Sequence, residues 1–194
     1  YNRDNLKDDM WGYNRYTKQT VNIGSAFLQN EWKNEKWSIL LGGRLDKHNL
    51  INHVIFSPRA NLRFNPSEDI NLRLSYSSGF RAPQAFDEDL HIENVGGTVS
   101  MIERAKNLKE EKSQSFSASA DMYHRFGAFQ VNFLVEGFYT RLSDVFVLEN
   151  IGERDGILIK ERRNGSGAKV LGLSMEGKMA YLSLFQLQAG VTLQ

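Results

Sequence analysis

The amino-acid sequence predicts an all-β fold, an antiparallel up-and-down portion of a transmembrane β-barrel with about eight strands, short periplasmic turns and long extracellular loops. Three observations carry this. In residues 70–77, apolar Ile70, Leu72, Leu74 and Tyr76 alternate with polar Asn71, Arg73, Ser75 and Ser77, giving one greasy and one wet face. That two-residue period recurs along most of the chain. Tight turns alternate with the long connections 46–55, 80–112 and 148–167, so loop lengths sort by end, which a soluble meander has no reason to do. Finally, no run approaches the roughly 18–20 apolar residues of a membrane-spanning helix. Strands are not excluded by this, because a barrel strand turns every second residue to a wet lumen.

Taken in order, residues 1–20 are polar and aromatic without steady periodicity and read as loop. Strands follow near 21–32 and 37–47, joined by the tight Lys33-Asn34-Glu35-Lys36. The next pair, near 56–64 and 70–78, turns at Asn65-Pro66-Ser67-Glu68-Asp69, where Asn and Pro supply turn chemistry. A third pair, near 113–123 and 128–147, meets at His124-Arg125-Phe126-Gly127. The last, near 169–178 and 182–194, meets at Met179-Ala180-Tyr181. On the third pair Phe116, Ala118, Ala120 and Met122 oppose Ser115, Ser117, Ser119 and Asp121. Near the end Phe185, Leu187, Ala189 and Val191 alternate with Gln186, Gln188, Gly190 and Thr192. A soluble half-buried sheet alternates in the same way, so the pattern establishes one wet face rather than lipid on the other. Trp32, Trp37, Tyr76, Tyr123, Tyr139 and Tyr181 fall near the expected strand ends, where a headgroup girdle places aromatic rings.

Composition narrows the function classes. The 194 residues carry 24 basic and 23 acidic side chains, a net charge of +1, so no electrostatic footprint for nucleic acid is present and none is expected as a partner. There is no cysteine, which fits an oxidising compartment. Tyr1-Asn2-Arg3-Asp4-Asn5 lacks the basic, apolar and small-residue succession of a signal peptide.

Several ordered motifs carry a family resemblance. Ser57-Pro58-Arg59-Ala60-Asn61-Leu62-Arg63-Phe64, followed by Asn65-Pro66, by 70–76 and by Gly79-Phe80-Arg81-Ala82-Pro83, resembles a hairpin of TonB-dependent outer-membrane receptors. Asn107-Leu108-Lys109-Glu110-Glu111-Lys112-Ser113 is similar to a strand start of that family, with Glu111 where proline is usual. Tyr139-Thr140-Arg141-Leu142-Ser143-Asp144 and the run from Asn164 through Gly172 to Glu176 resemble two further segments, with Ser174 replacing an acidic residue in the second. The resemblance implies an outer-membrane location in a Gram-negative bacterium and uptake of a siderophore, haem, corrinoid or glycan. It implies no enzymatic activity and no cofactor. The family's barrel has roughly 22 strands and is closed by a plug through which the TonB complex acts. No plug or energy-coupling box is visible here, and about eight strands cannot close that girth, so the chain (1–194) is expected to be one segment of a larger barrel. Outer-membrane lipid and an imported small molecule are the implied partners. Open sheet edges would also drive self-association, unless the strands close on themselves.

Chemistry-bearing groups are few. Arg81, where a strand leaves the membrane, is the leading candidate for contact with substrate or with lumen carboxylates, and Asp87 and Glu88 in the long extracellular loop 80–112 are the next. Asp87, Glu88 and Asp89 with Glu93 and Asn94 lack Ca²⁺-loop spacing and read as a solvated acidic loop. His48, His53, His91 and His124 fall in expected loops or turns with no zinc spacing and read as solvated, so no metal site is expected. Ser100-Met101-Ile102-Glu103 has capping-box spacing, leaving 101–111 open between a short helix and irregular loop. Two other classes compete: a self-contained eight-stranded outer-membrane protein for adhesion or structure, and an outer-membrane lipid hydrolase, for which His124 is the only candidate base.

Overall fold

The computed structural model describes residues 1–11, 15–85, 93–95 and 98–194. In chain order its strands are β1 (Asn2–Met10), β2 (Arg15–Lys33), β3 (Trp37–His48), β4 (Val54–Ser67), β5 (Ile70–Arg81), β6 (Glu93–Val95), β7 (Thr98–Arg104), β8 (Glu111–Phe126), β9 (Phe129–Ser143), β10 (Phe146–Arg154), β11 (Ile157–Asn164), β12 (Ala168–Tyr181) and β13 (Phe185–Leu193). Nine of them form one antiparallel sheet in the order β1-β2-β3-β4-β5-β8-β9-β12-β13. The other four form a second sheet, β10-β11-β7-β6, in which β11 and β7 run parallel. β1 and β13 are the ends of the main sheet and do not pair with each other, so it stays open and does not close on itself.

Directly paired residues share a face. The row Leu41, Ala60, Tyr76, Phe116, Tyr139 and Leu171 crosses six strands on one side. One residue along, Asn61, Ser75, Ser117, Phe138 and Gly172 cross on the other. Apolar side chains on the first face, the outer one, are left uncovered: Leu28 is 80% exposed, Leu171 70% and Leu187 60%. Among the described residues only Ile51, Ile55, Ala82, Ile102 and Ile159 are buried hydrophobics, far too few for the core of a water-soluble domain of this length. No helix or partner sheet covers the outer face among the described residues.

Rings collect at the short-turn end of that face. Trp37 stacks on Phe64 with centroids 4.0 Å apart, and Phe126, Phe129, Tyr181 and Phe185 follow one another across four strands at 4.8–5.8 Å. Tyr123, expected in this girdle, instead faces the inner side and donates to Asp121 Oδ2 at 2.8 Å. Its parity along β8 is that of the polar set, and Phe126 takes the girdle position.

Turn chemistry matches the turns seen. Asp155 (φ 52°) and Gly156 (φ 75°) form the two left-handed positions between β10 and β11, and Gly127 (φ 59°) opens the β8–β9 turn. The β4–β5 ladder shifts register between Phe64 and Ser67, where Pro66 has no amide to donate.

Four expectations need correction. Residues 1–20 are not loop: β1 and the first part of β2 occupy them, paired from Asn2↔Ile23 to Met10↔Arg15. Both faces of this hairpin are largely polar, so it lacks the period on which the reading relied. The main sheet therefore has nine strands. Segment 80–112 contains β6 and β7, and 101–104 is strand rather than helix or irregular loop. Segment 148–167 is largely the β10–β11 hairpin.

Candidate functional site

Main-chain pairing places every second side chain of the main sheet on the inner face, and there several polar side chains bond one another across neighbouring strands. Ser75 and Ser117 hydroxyls lie 2.7 Å apart, Ser115 and Thr140 3.0 Å, and Ser174 and Thr192 3.0 Å. Lower down, Arg73 Nε donates to Asn71 Oδ1 at 2.7 Å, and Asn71 Nδ2 to Asn65 Oδ1 at 2.7 Å. Lys178 Nζ lies 2.7 Å from Glu176 Oε1. Short hydroxyls and amides thus line a wettable wall on which Lys178 and Glu176 are ion-paired, while the buried Arg63 Nε has no hydrogen-bond partner among the described residues.

Toward the long-loop end the wall tightens. Asp46, 1% exposed, accepts from Arg44 Nε at 2.8 Å and from Ser25 Oγ at 2.5 Å, so burial of the carboxylate is offset by two donors. His48 is also 1% exposed and its Nδ1 accepts from the Leu50 amide at 3.1 Å. The sequence reading put His48 in solvent; it is instead the last residue of β3, on the inner face and packed away from water. His124 lies on β8 beside Phe126, with no hydroxyl partner among the described residues. His53 Nε2 lies 3.1 Å from Glu110 Oε1, and Lys112 Nζ lies 3.0 Å from the same oxygen. Burial by itself would raise the Glu110 carboxyl; its own backbone amide, Lys112 and His53 outweigh that and hold it below the ordinary carboxylate range.

The second sheet lies on the inner side of this end. The Ala85 amide donates to Gln19 Oε1 at 2.7 Å, and a cavity of about 280 Å³ is lined by Arg15 and Thr17 of β2 together with Met101 and Arg104 of β7. Gln19, Thr17 and Arg15 all have inner-face parity on β2. At the other flank the Phe146 amide donates to Glu111 Oε2 at 3.3 Å. Asn164, ending β11, fastens three segments: its Nδ2 donates to the Lys109 carbonyl at 3.1 Å and the Asp144 carbonyl at 2.7 Å, while its Oδ1 accepts from the Lys109 amide at 2.8 Å. The four strands therefore form a roof over the inner face at this end.

Of the candidate ligand contacts, Arg81 ends β5 on the inner face, exposed, directly opposite Glu111, with its guanidinium 5.7 Å from the Phe146 ring centroid. It sits where the wall meets the roof. Asp87 and Glu88 lie outside the described residues, as does His91. No cluster of three or more His, Asp or Glu side chains suited to a metal is present among the described residues. The roof itself was missed in the sequence, although Asp155-Gly156 is a hairpin signal.

The family model described as "TonB dependent receptor-like, beta-barrel" matches residues 1–193. No curated protein sequence matches. Among solved structures, the siderophore receptor PirA from Pseudomonas aeruginosa superposes with a TM-score of 0.72 at 16% identity, over 92% of this chain and 36% of that one. The Serratia marcescens hemophore receptor HasR gives 0.71 at 14% identity, over 90% of this chain and 34% of that one. The FrpB iron transporter from Neisseria meningitidis gives 0.64 at 18% identity, over 91% and 26%. The likeness is one of fold, and the chain spans about a third or less of the length of each.

Proposed function

Because the chain belongs to the TonB-dependent receptor β-barrel family, we propose that it forms a stretch of the wall of an outer-membrane receptor that imports a scarce nutrient and performs no chemistry of its own. Members of this family are Gram-negative outer-membrane proteins. One observation carries the reading: a nine-stranded sheet with an uncovered apolar outer face, a polar inner face and few buried hydrophobic residues among those described. Such a wall is stable only with hydrocarbon on one side and water on the other.

The ligand class is a siderophore, haem, a corrinoid or a glycan. PirA, HasR and FrpB are a siderophore receptor, a hemophore receptor and an iron transporter, which makes iron-bearing ligands the first to test. Arg81 is the residue we assign to an anionic ligand, since it stands exposed on the inner face beneath the roof; Asp87 and Glu88 follow it along the same excursion. The TonB complex would act through a plug that this chain does not contain.

The test is uptake. Cells lacking the gene should lose TonB-dependent accumulation of one labelled ligand from this set under limitation of that nutrient, and Arg81→Ala should weaken binding while leaving the barrel folded. Uptake of all four ligand types at parental rates in the deletion strain would refute the transport reading.

A further inference from the structure

Charge on β4 and β5 is of one sign and on one face. The two strands contain no Asp or Glu, and their only charged side chains are Arg59, Arg63, Arg73 and Arg81. All four have inner parity. Arg63 is directly opposite Arg73, and Arg59 is opposite Ser77, which lies four residues from Arg73 in one direction and four from Arg81 in the other. At a strand rise of roughly 3.4 Å per residue the cations therefore stand at three levels about 13 Å apart. Arg81 is under the roof, Arg59 at mid-wall and the Arg63–Arg73 pair toward the short turns.

The acids of the inner face stand on other strands and are mostly committed there. Asp46 on β3 is held by Arg44 and Ser25, Asp121 on β8 accepts from Tyr123 and Asn132, and Glu176 on β12 is paired with Lys178. Glu111, opposite Arg81, accepts from the Phe146 amide. Glu136 lies two strands from Arg73, with Ser119 between them. Arg59 is exposed and makes no hydrogen bond or ion pair among the described residues. Arg63 makes none there either, and its Nε is buried without a partner. Arg73 Nε donates to Asn71 Oδ1, a neutral amide that leaves the guanidinium charge uncompensated. Like charges directly opposite one another destabilise a sheet, so the Arg63–Arg73 pair lacks a counter-charge. Between the levels the wall offers only hydroxyls and an amide: Ser77 and Ser115 beside Arg59, then Asn61, Ser75 and Ser117.

We infer that Arg81, Arg59 and the Arg63–Arg73 pair are successive stations for a ligand bearing two or more anionic oxygen groups, which passes down this side of the inner wall. A guanidinium offers paired donors that match a carboxylate or phosphate, and a ligand with two such groups holds one level while its other group reaches the next. At the lowest level an oxyanion between Arg63 and Arg73 removes their repulsion. The inference rests on the reading of the chain as part of a receptor wall, and it deepens that reading by fixing the sign of the ligand's charge.

Cells producing the intact protein that carries this chain are offered four labelled probes in turn. Haem and iron(III) citrate carry carboxylates; a cationic iron(III) trihydroxamate and maltoheptaose carry none. TonB-dependent accumulation of haem or of the citrate complex is expected. Accumulation of only the other two overturns the inference and leaves the transport reading standing, whereas accumulation of none removes both. For the anionic probe taken up, Arg59→Gln and the double variant Arg63→Gln, Arg73→Gln should each lower the maximal uptake rate roughly tenfold, while binding to de-energised cells, where Arg81 is intact, stays within about twofold of the parent. Arg59→Lys should recover part of the rate, and Arg141→Gln, which removes the same charge from the outer face, should import as the parent does. Parental rates in both variants, or binding that falls in step with the rate, overturns the inference. So does increased entry of vancomycin into the variants, which would mean that the arginines hold the lumen shut. Should the double variant fail to reach the membrane, Arg59→Gln decides alone, because Arg59 is exposed and holds no other residue in place.

Discussion

At the scale of single residues, the positions that matter most bind backbone to backbone. Asn164 satisfies two carbonyls and one amide with one side chain, so Asn164→Ala should cost about 1–3 kcal/mol of local stability. Asn164→Asp retains only the acceptor. The check is amide exchange: Lys109, whose N–H bonds the retained acceptor, should lose protection in Asn164→Ala and keep more of it in Asn164→Asp, while the middle of β9 does not change in either. Gly167 is constrained differently, because a Cβ there would collide with the Leu142 carbonyl oxygen, a backbone atom that cannot swing aside. Gly167→Ala should therefore shift the β9–β12 pairing and lower the unfolding temperature of the refolded barrel, whereas alanine at Gly137, with open space around it, should leave that temperature nearly unchanged. Asn164 was visible in the sequence only as part of a motif, since its partners are 55 and 20 residues away. His48 was misread for a related reason: its burial comes from the strand end and the loop that folds back over it, which local pattern does not encode.

At the scale of elements, strands with different solvents on their two faces were legible and strands wetted on both were not. β3, β4, β5, β8, β9, β12 and β13 alternate cleanly and were located within a few residues. β1, the start of β2, β10 and β11 carry Asp, Asn, Lys, Arg and Glu on both sides and leave no period to find. The same argument yields a test of facing. Leu173 lies on the outer face near the middle of β12 and Ser174 on the inner face beside it. Leu173→Arg should cost about 2–4 kcal/mol of folding into vesicles and Ser174→Arg far less; the reverse order would mean that the faces are assigned backwards. The connection into β8 has its own pH dependence. The Glu110 carboxyl titrates below its unfolded value of about 4.3, so its ion pairs stabilise this connection fully above that pH and release it as the pH falls through the lower folded value. Exchange at 110–112 should rise below about pH 4, and Glu110→Gln should abolish that rise.

At the scale of the whole molecule, the main sheet ends in two unpaired edges, β1 and β13. Hydrocarbon does not tolerate such edges, so in the membrane both must continue into further strands, and the chain alone in detergent should associate through them. Light scattering of the isolated chain checks this: a stable monomer would show that the edges are protected in another way. The architecture was legible because loop length and facial alternation both report on the membrane. The roof was not, because it is assembled from two excursions far apart in sequence, with Ile157 opposite Val99. That parallel pairing also sets an order of events. Every neighbour in the wall is antiparallel to the next, so the wall can grow by successive hairpins, whereas β7 must wait for β11, which emerges more than fifty residues later. The mouth is therefore the last part to acquire its final shape, and a substitution in β7 or β11 should delay that late kinetic phase without slowing the insertion that precedes it.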